Sequence, residues 1–371
     1  MTGPDPSTPS VSGPANTLTD VAGLRVGHHT MTGAGELTGT TVVVAPEGGM
    51  VAGVDVRGGG PGTRETDLLA PTASVERITA VVLTGGSAYG LAAADGVMTA
   101  LADRGLGLTV GPLAGQIVPL VPSAVLFDLG RGGRFRSTPD PVAGVAAVAA
   151  AFDDPVGPLD GCIGAGTGAV VAGLKGGVGS ASVVLPDGTT IAAMVVVNAI
   201  GSPVDLRTGE LLSGRLLLPG DADGLRRPSE TELAALRPAA APRHPRHGAP
   251  LGGELAVADA VAVQNTTIGV IATDASLTKA QCTKLAGVGH DGLARSLEPV
   301  HAMFDGDTLF GVSTASRPAP DPFEYHDILC AVSTVVARAV ARAVLAARSV
   351  TTPGGSWSAY PDLVPGIRSA S

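Results

Sequence analysis

Gln264-Asn265-Thr266-Thr267-Ile268-Gly269-Val270-Ile271-Ala272-Thr273-Asp274 decides how the rest of this chain is read. From Thr267 onward the run is apolar and β-branched, the pattern of a buried strand. Upstream, residues 219–253 (PGDADGLRRPSETELAALRPAAAPRHPRHGAPLGG) are rich in Pro, Arg, Ala and His. They have room for one short helix, over 230–236, and otherwise read as a long exposed loop or linker. Asn265-Thr266-Thr267 is formally a glycosylation sequon, which means nothing without a secretory signal.

Working outward, 277–301 is expected to be helical, with a break at Gly287 and Gly289. A strand follows over 308–313, then a long helix over 328–348 with Arg338 and Arg342 on one face. Toward the N-terminus, short β-branched runs at 40–44, 78–83, 124–127, 181–185 and 191–197 read as strands bounded by Gly, Pro or Asp turns. Residues 90–103 and the Ala-rich 142–152 read as helices. Strands interleaved with helices give an α/β layered fold. Residues 1–16, rich in Pro, Ser, Thr and Gly, read as a disordered tail, and the chain after about 350 as a second tail.

Hydrophobic residues make up 44% of the 371 and charged residues 15%, so the chain can bury a large core. Aromatics are only 3%, so that core must be built from Val, Ala, Leu and Ile, packed closely with the help of 53 Gly. A net charge of −9 without a concentrated basic face excludes a nucleic-acid partner. Three scattered cysteines, Cys162, Cys282 and Cys330, suggest neither a disulfide framework nor a zinc site. There is no signal-like N-terminus, and apolar runs such as 191–197 are too short to span a bilayer. The expectation is a cytoplasmic protein with no membrane partner.

Four features invite over-reading. GGSAYG at 85–90 has the outline of a nucleophile elbow, but Tyr89 stands where the last Gly belongs. It reads as a Gly-rich strand-to-helix turn with Ser87 as N-cap. IGAGTGAVVAGLKGG, which follows Gly161 and Cys162, lacks the Lys-Ser/Thr pair of a phosphate loop, and no apolar strand leads into it. His28, His29, His244, His247, His290, His301 and His326 form no ligand-like spacing and read as surface or satisfied core residues. Asp305-Gly306-Asp307 places two carboxylates on one side of an extended segment, and by spacing alone it is a turn before a strand.

Taken in order, NTLTDVAGLRVGHHT, GTTVVVAP, VDVRGGGPGTRETDLL, LTGGSAYGLAAADGV, VPSAVLFDLG, GAGTGA, KGGVGSAS, VVVNAIG, NTTIGVIATDA and GDTLFGVST resemble the DmpA-type (P1) aminopeptidases over roughly residues 17–348. That family includes β-peptidyl aminopeptidases and nylon-oligomer hydrolases. The resemblance implies an αββα sandwich of the DmpA and ornithine acetyltransferase type, self-cleaved into two chains that stay together in one intertwined domain. It implies a cut between Asn265 and Thr266, giving a large chain ending at residue 265 and a small chain of 266–371. A flexible linker before the bond suits such a cut. It also implies a homo-oligomer, with a tetramer expected.

The same resemblance assigns roles. Thr266 matches the nucleophile, Asp305 and Asp307 an acidic pair beside it, and Asn198 an oxyanion-hole amide. Lys175 matches a lysine near the active site, and Tyr89 a substrate-side tyrosine. Asn-Thr at the cut and Asp at 305 resemble the nylon-oligomer hydrolase branch, where the aminopeptidase branch tends to have Gly-Ser and Ser. A Thr hydroxyl needs an adjacent base. The α-amine freed at Thr266 would have a pKa of about 7.7–8.0, suited to that task. The implied substrate is a small peptide or linear amide oligomer, and neither a metal nor an organic cofactor is expected. The rival reading is an ornithine acetyltransferase-like acyltransferase on the same fold, although the strand after its nucleophile usually opens with Met-Leu rather than Thr-Ile-Gly-Val.

Overall fold

Alternation along one buried strand sets the plan of the molecule. In Thr190–Val197, Ala192, Met194 and Val196 point into one apolar core, while Ile191, Ala193, Val195 and Val197 point into another. A strand buried on both faces must sit in a sheet covered on both sides. The computed structural model describes residues 11–154, 157, 159–222, 224–241 and 265–367.

Within these residues two five-stranded sheets lie face to face. The first has the order β1 (Arg25–Met31), β2 (Thr38–Val44), β5 (Ala80–Thr84), β6 (Ser123–Val125), β4 (Thr63–Arg64). The second has the order β7 (Gly177–Val184), β8 (Thr190–Val197), β9 (Ile268–Ala275), β10 (Thr308–Arg317), β3 (Val51–Val56). Between the sheets, Val43, Val81 and Leu83 of the first meet Met194, Val196, Ile268, Val270 and Phe310 of the second. Outside the first sheet, α1 (Ala93–Ala102) and α2 (Pro141–Asp153) pack on Val42, Val44, Ala80 and Val82. Outside the second, α4 (Lys279–Ala294) and α5 (Pro322–Ala346) pack on Ile191, Ala193, Val195 and Ile271. The layers therefore run α, β, β, α, as the resemblance implied.

The pairing between β9 and β10 locates the chemistry. These strands are parallel, with Ile268 opposite Thr308 and Gly269 opposite Leu309. Their heads lie side by side, and a further bridge pairs Asn265 with Asp305. Strand β8 runs antiparallel to β9, with Val196 opposite Ile268, so its end at Asn198 arrives at the same place.

Several expectations change here. Helix α4 runs unbroken through Gly287 and Gly289. These glycines serve close packing: a Cβ at Gly289 would sit 2.2 Å from Ile271 Cδ1. The helix ends at Ala294, and the chain turns before reaching His301, which adopts φ 57°. Ser87 makes no side-chain cap. The left-handed Gly86 holds the N-cap position, and Ser87 itself has φ 50°.

The tail expected over 1–16 does not extend through 11–16. Val11 bridges to Val184, and Asn16 is buried against Asp221, Ser182 and Arg338. Residues 1–10 lie outside the described residues. The linker expected over 219–253 is docked through residue 241. Asp221 is buried, and α3 (Glu230–Ala240) is capped by Ser229 and buries Leu233, Leu236 and Ala240. Residues 242–253 lie outside the described residues. The tail expected after 350 instead forms the hairpin β11 (Val350–Thr352) and β12 (Gly355–Trp357). It is followed by α6 (Tyr360–Leu363), whose Tyr360 is fully buried and donates its hydroxyl to Gly209 O at 2.9 Å.

Helix α5 is long and apolar enough to cross a membrane, which no run noted in the sequence had seemed to be. Two-thirds of its most apolar window is buried inside the fold, and Arg338 lies at its centre with no exposure. Arg338 grips Asp221 at 2.6 Å and also reaches Asn16, Ser12 and the carbonyl of Ser182.

Candidate active site

The described chain is continuous from Asn265 into Thr266, and the bond between them lies where β8, β9 and β10 converge. The Thr266 hydroxyl donates to the carbonyl oxygen of Asn265 at 2.5 Å. That oxygen also accepts the backbone N–H of Gly306 at 3.1 Å. The N–H of Thr266 donates to the backbone carbonyl of Asn198 at 2.5 Å. One peptide unit is thus held at its oxygen and its nitrogen, with a hydroxyl against it. Glycine is required at 306: a Cβ there would come within 2.8 Å of Thr266 Oγ1 and 2.7 Å of Gly60 O.

The two expected carboxylates flank this unit. Asp307 Oδ1 accepts the N–H of Thr267 at 2.7 Å, which fixes the residue after the nucleophile. Its Oδ2 accepts from His301 Nδ1 at 2.8 Å and from the His301 N–H at 3.2 Å. Asp305 accepts N–H groups from Ile200 at 3.3 Å and Ala302 at 3.0 Å. Burial, reinforced by the Asp307 charge, pushes Asp305 up to about 6. Below that pH Asp305 carries a proton; above it both its oxygens act as acceptors.

Asn198 and Lys175 support the site from behind. The Asn198 side-chain oxygen accepts from Arg131 at 2.5 Å and from the N–H of Val170 at 2.9 Å, and its amide nitrogen donates to Phe127 O at 3.3 Å. The group on the Asn265 carbonyl is therefore the Gly306 N–H, whereas Asn198 offers its main-chain oxygen to the Thr266 nitrogen. Lys175 donates to the carbonyls of Gly166, Ala169 and Gly176 at 2.8–3.1 Å, and burial lowers it to about 8. It ties down the loop whose Val170 grips Asn198. Tyr89 is half exposed, with the Arg136 guanidinium 5.1 Å over its ring, and does not itself line the cavity at Thr266, which its neighbours Ser87 and Ala88 do.

A cavity of about 170 Å³ opens onto Thr266. Its walls are mostly apolar or backbone, including Pro61, Val125, Phe127, Met303 and Phe304, with Ser87 at one side.

Sequence reasoning missed two residues. His301, read as a surface or core histidine, bonds Asp307 directly, and its ring meets that of His290 edge-on with centroids 4.7 Å apart. The nearness of His301 to the Asp pair was the available signal. Arg131, in a Gly-rich loop, bridges Asn198, Gly168 and Asn265. Nothing in its spacing marked it. Removing the His301 imidazole leaves Asp307 without its side-chain partner. His301→Ala is expected to slow amide hydrolysis about tenfold or more, and Asp307→Ala more severely. His301→Asn should recover part of the loss, which steady-state rates on one amide would read.

The αββα sandwich thus gathers a hydroxyl residue and two carboxylates at the head of a central strand, in keeping with the family resemblance read in the sequence. Comparison with known proteins agrees at the level of family: residues 16–357 match the model of peptidase family S58, and the chain belongs to that family. An "uncharacterized aminopeptidase" of Mycobacterium leprae is 42% identical over 362 residues, covering 92% of this chain and 93% of its own. A 6-aminohexanoate-oligomer endohydrolase of Agromyces sp. is 32% identical over 293 residues, covering 76% of this chain and 71% of its own. Among solved structures, a Burkholderia sp. β-aminopeptidase superposes with a TM-score of 0.69 at 21% identity, covering 97% of this chain and 96% of that one. The L-aminopeptidase D-Ala-esterase/amidase of Ochrobactrum anthropi, described as a variant of the Ntn hydrolase fold, superposes with a TM-score of 0.68 at 21% identity, covering 96% and 94%.

Proposed function

We propose that this chain is a self-processing amide hydrolase with Thr266 as its N-terminal nucleophile. The observation that carries this reading is the Thr266 hydroxyl lying 2.5 Å from the Asn265 carbonyl oxygen, with Gly306 N–H on the same oxygen. In maturation, Thr266 Oγ attacks the Asn265 carbonyl carbon. The oxygen gains negative charge against the Gly306 N–H, the C–N bond breaks, and the hydroxyl proton passes to the departing nitrogen. Water then hydrolyses the resulting ester, releasing residue 265 as a carboxylate and restoring the hydroxyl.

The freed amine, held by the Asn198 carbonyl, then serves as the base for turnover. It takes the Thr266 proton, the hydroxyl attacks a substrate amide, and an acyl-enzyme forms and is hydrolysed. Asp307 orients the backbone after the nucleophile, and Asp305 holds the turn before it. Asn198 and Lys175 position the loop around 170, and Tyr89 edges the substrate's approach.

Small peptides and linear amide oligomers are the substrates that the relatives' names suggest. The working form is proposed to be a cytoplasmic homo-oligomer, with a tetramer expected. Intact mass under denaturing conditions tests the core of the reading: it should give two fragments, the smaller beginning Thr-Thr-Ile-Gly-Val. A single stable chain with no amidase activity would overturn it.

Activity should show a rising limb near pH 6, below that of the Thr266 amine, because ionised Asp305 offers full acceptors to both Ile200 and Ala302 while protonation weakens one of them. Asp305→Asn should flatten that limb. A limb near 6 that persists in Asp305→Asn would assign it elsewhere.

A further inference from the structure

The turn that leaves β5 holds Ser87 in a conformation that a serine rarely takes. Ser87 has φ 50°, directly after Gly86 at φ 83°. Glycine reaches that region freely, whereas an L side chain there is strained. The turn is held from below. Gly86 N–H donates to Oδ1 of the buried Asp128 at 2.7 Å, and Ser87 N–H donates to Leu126 O at 2.9 Å. A Cβ at Gly85 would sit 2.2 Å from Asp128 Oδ2, so the turn lies tight on its support.

Ser87 also lines the cavity at Thr266. Three side chains of that wall carry N–H or O–H groups: those of Ser87, Asn265 and Thr266. Asn265 accepts from Arg131, and Thr266 donates to the Asn265 carbonyl oxygen. The Ser87 hydroxyl makes no hydrogen bond among the described residues. Strain kept beside a cavity points to function, since glycine at 87 would remove it. A serine nucleophile needs an adjacent base, and nothing is bonded to this hydroxyl, so Ser87 is no second nucleophile.

We propose that Ser87 is a substrate-binding residue whose hydroxyl hydrogen-bonds the amide group of a substrate seated in the cavity. This rests on the amide-hydrolase reading above. A hydroxyl donates one bond and accepts others, so it can meet either the N–H or the carbonyl of an amide. The side chains of Pro61, Val125, Phe127, Met303 and Phe304 bring no N–H or O–H to the same wall. A substrate amide entering there gives up water, and a bond to Ser87 offsets that loss. The precursor's own scissile unit does not use this hydroxyl: Gly306 holds its oxygen and Asn198 its nitrogen. Ser87 therefore acts in turnover and not in the cut between Asn265 and Thr266.

The test uses full-length protein, allowed to mature, with the p-nitroanilides of alanine and β-alanine as probes. Ser87→Ala and Ser87→Gly should both be cut at the wild-type rate, followed by the appearance of the small fragment. Both should then lose about three- to tenfold in kcat/KM, carried by a higher KM with kcat little changed. Ser87→Gly should denature at or above the wild-type midpoint, because relief of the strain at φ 50° offsets the freedom that glycine adds to the unfolded chain. A serine that merely held up the fold would lose stability and KM together. Unchanged KM in both variants would overturn the proposal while leaving the hydrolase reading intact. A Ser87→Gly chain that denatures well below wild type would also overturn it, as would slower cutting in either variant. An uncut, inert wild-type chain would instead sink the reading beneath it.

Discussion

On the proposed mechanism, Thr266→Ala should yield one uncut chain that hydrolyses no amide. The alanine lacks the oxygen that lies 2.5 Å from the Asn265 carbonyl oxygen, so no N-to-O shift can start. Without the cut no free amine exists at residue 266, and turnover loses its nucleophile and its base together. Losses on removing a nucleophile reach roughly a millionfold where nucleophile and base act as a unit. Here the loss should reach the floor of any assay. Thr266→Ser keeps the oxygen and should still be cut, which separates chemistry from misfolding. Gel mobility and intact mass read the cut, and release of an anilide reads turnover. Efficient cutting in Thr266→Ala would remove Thr266 from the nucleophile's role.

Arg338→Ala should cost about 3 kcal/mol of folding stability, because it leaves the buried Asp221 carboxylate only the Arg342 guanidinium, 3.7 Å away, as counter-charge. That is a large share of the about 5–15 kcal/mol that holds an ordinary domain. Asn16, Ser12 and the Ser182 carbonyl lose a partner in the same step. Replacing both charges, Arg338→Met with Asp221→Leu, should recover much of the loss, since no buried charge is then left over. Burial pushes the Asp221 carboxyl up, but the Arg338 hydrogen bond and charge outweigh this and hold it below its usual range. The pair's contribution is therefore present above the unfolded carboxylate pKa and fades as pH falls through the lower, folded value. Denaturant melts of wild type and Arg338→Ala should converge in acid. Equal midpoints at neutral pH would show the ion pair to be energetically idle.

What was legible in the sequence followed from period and order. The five short strands were readable because Val- and Ala-rich runs ended at Gly, Pro or Asp. The Thr266, Asp305 and Asp307 grouping came from motif order rather than spacing, since forty residues separate Thr267 from Asp307 and only the parallel register of β9 and β10 joins them. Glycine misled twice. In α4 it permits the close approach of Ile271, where the sequence suggested a break. At Gly86 it took the cap position expected of Ser87. Arg338 was read as one charge on a helix face because its partner, Asp221, sits in a segment whose composition looked like open linker. His301 and Arg131 stayed hidden because each acts through a contact made by a turn, and turns leave little periodicity to read.

The second sheet has the order β7, β8, β9, β10, β3, so the strands on both sides of Thr266's segment come from before residue 265. Strands β9 and β10 form a wedge, laced to β8 along one edge and to β3 along the other. Cutting the chain at residue 265 therefore frees an end without freeing a part. The smaller piece could not leave unless two ladders opened at once, so the proposed break would leave two polypeptides that melt as one.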